Sequence, residues 1–415
     1  MKPLKAWIIT TGNEILDGVV KNTNADFLIE RLNEKGLQVE GLRVVRDEEK
    51  AIMDAIQTAL AVSDVVVISG GLGSTDDDIT RESVAAFIKR RLYIDRSFAD
   101  RVFERYHKRF GERVPQGIEK FAMMIEGAKV YFSENALVPA QVVEYNDKLI
   151  ILLPGPPNEL APLFEKVFSE HPKLSQLTSL YTTKTFRFAG VPESLIEESL
   201  KDVLKDVEYS TTLDYYVGPT IRVKVNRENG RMLTSIERVI RERFPVDFIG
   251  TDEETLERIT VRLLKEKNLT LSLAESCTGG SVSAILVKVE GLSHVYKGAV
   301  VSYNRKVKES LLGIDPELID VHDVVSEPVA AEMAQRVREI LNSDIGASVT
   351  GVAGPEKGDS NKDVGTVCFA VADAEGCQTF TDNIRGDRFT IVKRASYRLI
   401  DLIRRHVLLG IGKGG

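Results

Sequence analysis

The feature that most constrains this chain is an unbroken apolar run that stops at glycines. Asp64-Val65-Val66-Val67-Ile68-Ser69 ends at Gly70-Gly71, and helical periodicity takes over across 79–89. A strand without a polar face has to be covered on both sides, so this reads as strand, loop and helix in a parallel sheet. The same rhythm surrounds it: a strand at 7–10, a helix at 24–32 closed by Gly36, and a strand at 148–153 halted by Pro154-Gly155-Pro156-Pro157. It returns after Glu253, with a helix at 256–267, strands at 269–274, 345–350 and 364–372, and a closing helix at 389–406. Between these stretches, 183–188 and 220–225 alternate polar and apolar, each followed by an amphipathic helix. Alternation marks strands with one wet face. The predicted fold class is α/β: two three-layer α/β/α domains at 1–168 and 251–412, joined by a small α+β module at 172–250.

Composition excludes several classes. A chain of 415 residues with 43% hydrophobic content can bury real cores. Its 55 Lys+Arg against 62 Asp+Glu give a net charge of −7, so no nucleic acid is expected as a partner. No stretch approaches the roughly 20 apolar residues of a membrane span, so no membrane is expected either. Three cysteines cannot build a disulfide framework, and the first residues lack a signal-peptide pattern. The expected location is cytoplasmic.

Two loops carry candidate chemistry. In Gly70-Gly71-Leu72-Gly73-Ser74-Thr75-Asp76-Asp77-Asp78, glycine amides at a helix start suit an anion, and Asp76, Asp77 and Asp78 suit a hard divalent cation. The plainer alternative is helix capping by the aspartates. Thr11-Gly12-Asn13-Glu14 is a second strand-end loop that would face the same crevice. The other candidate is Glu275-Ser276-Cys277-Thr278-Gly279-Gly280, where a serine at a strand-to-helix turn projects its hydroxyl beside backbone amides. Here too a simple cap by Ser276 or Thr278 is the alternative. None of the five histidines sits in a glycine-bounded strand-end loop, so a Ser–His–Asp triad has little support, and a lysine with a lowered pKa can serve instead. The run Tyr303-Asn304-Arg305-Lys306-Val307-Lys308 supplies cations whose crowding would depress a lysine's pKa. Cys277 is the rival nucleophile.

Taken in order, these motifs resemble the competence/damage-inducible CinA family over nearly the whole chain. Thr11-Gly12-Asn13-Glu14-Ile15-Leu16, the Gly70–Thr80 loop and Leu153-Pro154-Gly155-Pro156-Pro157-Asn158-Glu159-Leu160 resemble its MogA/MoaB-like, molybdopterin-binding-type domain. Phe188-Ala189-Gly190-Val191-Pro192-Glu193-Ser194 resembles its KH-like connecting domain. Ala274 through Gly280, Val325-Ser326-Glu327-Pro328-Val329, Thr350 through Pro355, Val364-Gly365-Thr366-Val367 and Gly386-Asp387-Arg388 resemble its nicotinamide mononucleotide deamidase domain.

The resemblance implies an amidohydrolase that releases ammonia from nicotinamide mononucleotide, needs no cofactor and serves pyridine nucleotide recycling. Its catalytic residues fall on Ser276, Lys308 and Tyr303. Substrate contacts are expected from Glu275, Thr278, Gly279, Gly280, Thr350, Gly351, Gly354 and Arg388, with the oxyanion lying toward the amides at 278–280. The first domain is implied to be an ADP-ribose pyrophosphatase using Mg, Mn or Co on Asp76, Asp77 and Asp78. Its nucleotide site would be Asn13, Glu14, Gly70, Gly71, Gly73, Thr75, Asp77, Pro154, Gly155 and Pro156. Two departures weaken that second activity: Ser74 replaces the family's proline, and Val138-Pro139-Ala140-Gln141-Val142 replaces a segment with two glycines. A non-catalytic adaptor in competence or DNA repair ranks last, and a homodimer is the expected assembly.

Overall fold

The structure, a computed structural model, describes residues 4–115 and 117–410, so the last two residues expected in the third domain fall outside it. The chain divides into two compact units, Met1–Tyr181 and Thr182–Gly415.

The first unit runs β1 (Lys5–Thr11), α1 (Asn13–Leu16), α2 (Thr23–Glu34), β2 (Gln38–Val45), α3 (Glu49–Val62), β3 (Val65–Ser69), α4 (Thr80–Ile88), β4 (Leu92–Ile94) and α5 (Arg96–Phe110). It continues with β5 (Met123–Ile125), β6 (Lys129–Tyr131), β7 (Ala140–Tyr145), β8 (Lys148–Leu153) and α6 (Pro157–Glu170). Its main sheet has the order β2-β1-β3-β8-β7-β6, parallel from β2 to β8 and antiparallel beyond. Every residue of β3 is buried, as a central strand covered on both faces requires. Alternate β3 residues feed separate cores: Val66 and Ile68 join Ile52 and Val84, while Val65 and Val67 join Leu28 and Phe164. Helices therefore cover both faces, giving three layers. Gly70 and Gly71 come next at the strand's carboxyl end with φ of +99° and +64°. A Cβ on Gly71 would lie 2.2 Å from the Thr80 hydroxyl, so only glycine fits between β3 and α4.

The second unit begins with β9 (Tyr181–Phe188), α7 (Glu193–Leu204), β10 (Glu208–Asp214), β11 (Gly218–Asn226), α8 (Arg231–Arg243) and β12 (Phe248–Thr251). These form a four-stranded sheet, β10-β11-β9-β12, with its own apolar core of Phe186, Phe188, Ile196, Ile221 and Ile240. The chain then forms α9 (Leu256–Glu266), β13 (Leu271–Glu275), α10 (Ser281–Leu286), β14 (Tyr296–Val301), α11 (Arg305–Leu312), α12 (Pro316–His322) and α13 (Glu327–Ile340). The unit ends with β15 (Ile345–Gly351), β16 (Thr366–Ala372), β17 (Cys377–Asn383) and α14 (Arg388–Leu409). Their sheet is β14-β13-β15-β16-β17, parallel among the first three and antiparallel beyond. The β9–β12 module belongs to the same compact unit as this sheet for a physical reason. Ala189 and Ile249 enter the apolar cluster of α9 and α14, and Arg405 of α14 donates to Ala189 O (2.9 Å) and Asp247 (2.7 Å).

Candidate active site

Ser276 is the first residue after β13. Its amide donates to Val349 O at 3.0 Å, which fixes it at the carboxyl edge of the sheet. The Ser302 amide donates to Glu275 O at 2.8 Å and places the segment after β14 alongside. From there Asn304 caps α11, accepting from the Lys306 amide at 2.8 Å, and the first turn of that helix carries Lys308 inward. The Lys308 Nζ donates to Ser276 Oγ at 2.9 Å and to Ser302 O at 2.7 Å. Lys308 is 1% exposed and Ser276 6%. Burial pulls the Lys308 ammonium down to about 8, against the opposing pull of Cys277 and Asp359. The expected crowding by cations does not act: Arg305 turns away to Glu309 and Asp320. Desolvation does that work instead.

A cavity of about 460 Å³ opens onto this pair. Ser276, Lys308, Tyr303, Thr350, Gly351, Gly354 and Arg388 all line it, as the sequence predicts; no histidine among the described residues does. Tyr303 is 56% exposed at the rim, where its hydroxyl accepts from Arg388. Arg388 also donates to Gly354 O at 2.6 Å, so its guanidinium braces the 351–354 loop. Cys277 lines the cavity, but burial pushes its thiol up to about 12, far from a thiolate at neutral pH.

Glu275, Thr278, Gly279 and Gly280 need correction as substrate contacts, because none of them lines the cavity. The Glu275 carboxylate is fully buried and accepts from the amides of Gly280 (3.0 Å), Val282 (3.1 Å) and Ser283 (2.9 Å). It also accepts from the Thr278 (2.8 Å) and Ser283 (2.7 Å) hydroxyls. The glycine amides expected to face a ligand are spent internally, since Gly279 N donates to Ser276 O. No sequence pattern singles out Asp323, yet it orders one wall of the cavity.

In the first unit a cleft of about 550 Å³ is lined by Glu14, Gly70, Gly71, Gly73, Asp77, Asp78, Pro154, Gly155 and Pro156. Asn13, Thr75 and Asp76 do not line it. Asp76, Asp77 and Asp78 are not brought together: among the described residues no three acidic, histidine or cysteine side chains gather in a group that could hold an ion. Asp78 is turned back on its own loop, accepting from the Thr75 amide at 3.0 Å and from its hydroxyl. Beneath the loop lies Arg81, fully buried, donating to Leu72 O (2.7 Å) and Gly73 O (2.9 Å). The altered 138–142 segment puts Val138 in the cleft, and Glu159 accepts from the Leu137 amide at 3.0 Å. Asp47 joins Glu14, Asp77 and Asp78 there; burial first, then those neighbours, raise its carboxyl, although the Asn13 amide opposes them. Without a cation such a cleft repels a pyrophosphate.

Comparison with known proteins agrees with this division. A profile of the CinA C-terminal domain matches residues 253–407, and one described as a probable molybdopterin binding domain matches 7–175. A CinA-like protein of Fervidobacterium nodosum is 35% identical over 407 residues, 97% of this chain and 98% of its own. One from Pseudothermotoga lettingae is 38% identical over 372 residues (88% and 90%), and one from Dictyoglomus turgidum 35% over 413 (98% and 100%). No helix among the described residues is long and apolar enough to cross a membrane.

Proposed function

This chain belongs to the CinA family, and from that premise we propose that its second unit hydrolyses nicotinamide mononucleotide to nicotinic acid mononucleotide and ammonia. The observation that carries the reading is the buried 2.9 Å contact between Lys308 and Ser276. With its pKa drawn to about 8, Lys308 is a substantial fraction neutral near physiological pH, so it takes the Ser276 proton as Oγ attacks the carboxamide carbon. Charge then develops on the carboxamide oxygen. The Gly279 and Gly280 amides are already bonded, so the donors assigned to it are the amides of Cys277 and Thr278, the two residues after the nucleophile. The Lys308 ammonium returns its proton to the departing nitrogen, ammonia leaves, and water cleaves the acyl-serine with Lys308 again as base. The substrate phosphate is assigned to Arg388 and the 351–354 loop, which line the cavity.

The test is ammonia release from nicotinamide mononucleotide by the full chain, wild type against Ser276→Ala. Undiminished release by the variant removes the nucleophile assignment.

A further inference from the structure

The 352–365 loop between β15 and β16 supplies much of the cavity wall, and its 360–361 stretch is held by one carboxylate outside the loop. Asp323, just after α12, accepts from the Ser360 hydroxyl (2.8 Å), the Asn361 amide (2.7 Å) and the Val325 amide (2.8 Å). Its own carbonyl accepts from Ser326 Oγ at 2.8 Å. The Asp323 backbone lies at φ +79°, ψ +148°, a region that side chains other than glycine's rarely tolerate. Nothing in the end of α12 demands a side chain there, and glycine would adopt that backbone freely. The strained aspartate is accounted for by what its carboxylate holds. Burial alone would raise that carboxyl, but the two amides and the hydroxyl outweigh it and keep it below the usual carboxylate range.

Ser360 and Asn361 are the pinned residues, and Asp359 immediately precedes them. Asp359 lines the same cavity as Lys308, and its charge favours the lysine's ammonium form. We propose that Asp323 is a positioning residue for the amide hydrolysis assigned above: it pins the 352–365 loop so that the Asp359 carboxylate faces Lys308 and stabilises the ammonium formed when the lysine takes the serine proton. The inference rests on that reading of the site. The proton moves from Ser276 Oγ to Lys308 Nζ and later to the leaving nitrogen; Asp359 exchanges none.

Other charged or titratable groups around Lys308 do not take this role. Cys277 is buried as a thiol, and Tyr303 and Arg388 bond each other. On the loop, Lys357 pairs with Asp363, and Glu356 lines the cavity but is not among the charges that bear on Lys308. On α11 itself, Arg305 pairs with Glu309 and Asp320, and Lys306 points to solvent. On α13, Glu327 is engaged by Thr379 and Thr381, and Glu332 by Arg336.

The experiment is the pH profile of kcat/KM for ammonia release from nicotinamide mononucleotide by wild type, Asp359→Asn, Asp323→Asn and the double variant. Asp359→Asn is expected to lower kcat about threefold and to move the acid limb down by about half a pH unit, since the lysine loses its stabilising charge. Asp323→Asn should move the limb the same way, and the double variant should sit where Asp359→Asn alone sits. An acid limb unmoved in Asp359→Asn, or a further shift on adding Asp323→Asn to it, overturns the proposal. Should Asp323→Asn fail to fold, seen as a collapse of Tm, Ser360→Ala, which removes one of its bonds to the loop, takes its place and is read by the same two criteria. Wild type releasing no ammonia, or Ser276→Ala remaining active, would instead remove the underlying reading.

Discussion

The cleft of the first unit and the cavity of the second share one plan and end in opposite conditions. Each sits where parallel strands end and a glycine-bearing loop leads to a helix. In the second unit, the helix-start amides are satisfied by Glu275 from within, which leaves Ser276 free at the turn to meet Lys308. In the first, the buried Arg81 satisfies the loop carbonyls, while the cleft collects acids with neither a gathered metal set nor a buried base among the described residues. A glycine loop after a strand is thus a way of turning a chain tightly. Whether its amides serve a ligand depends on which internal group reaches them first.

That contrast can be broken at several points. Ser276→Ala carries the largest expected effect, a fall in ammonia release on the order of 10³-fold or more with Tm unchanged. Turnover above a tenth of wild type would end the contrast. Lys308→Arg should cost roughly 10²- to 10⁴-fold, because a guanidinium stays protonated and cannot act as the base. The pH dependence takes its sign from the buried lysine. Activity needs neutral Lys308, so kcat/KM should rise with pH through about 8 and fall below it. A profile flat from pH 6 to 9 would show that no such base operates.

Glu275→Gln tests the internal cap. An amide nitrogen would confront donors that now share a carboxylate, and a loss of about 2–3 kcal/mol is expected, read as a lower Tm. The smallest effect belongs to the first unit. Asp77→Asn, or a chelator in the assay, should leave ammonia release unchanged, and titration of the full chain with Mg or Mn should give no binding heat. Saturable heat abolished by Asp77→Asn would show that the acids do gather around an ion.

Much of the fold is legible in local pattern. The strand predicted at 148–153 is β8, and the amphipathic helix expected after 183–188 is α7, because both are set by periodicity within a few residues. β10 and β14 escape sequence reading for a related reason. β10 is exposed along nearly its whole length, and β14 alternates half-buried and exposed residues around Gly298, so neither carries an apolar signal. β14 nevertheless decides the site, since it delivers Ser302 and then Lys308.

The sequence alone determined the strand–loop–helix rhythm around the two glycine loops and the placing of Ser276 at a strand-to-helix turn, since both depend on neighbouring residues. Only the tertiary structure decided that Lys308 is buried against Ser276. Its contact with Ser276 spans 32 positions, and its lowered pKa comes from burial rather than from the cations beside it. The same holds for Glu275, withdrawn from the substrate by five internal donors, and for Asp76, which turns out not to face its cleft. Desolvation and through-space hydrogen bonds depend on what the fold packs against a side chain, and chain neighbours carry no record of that.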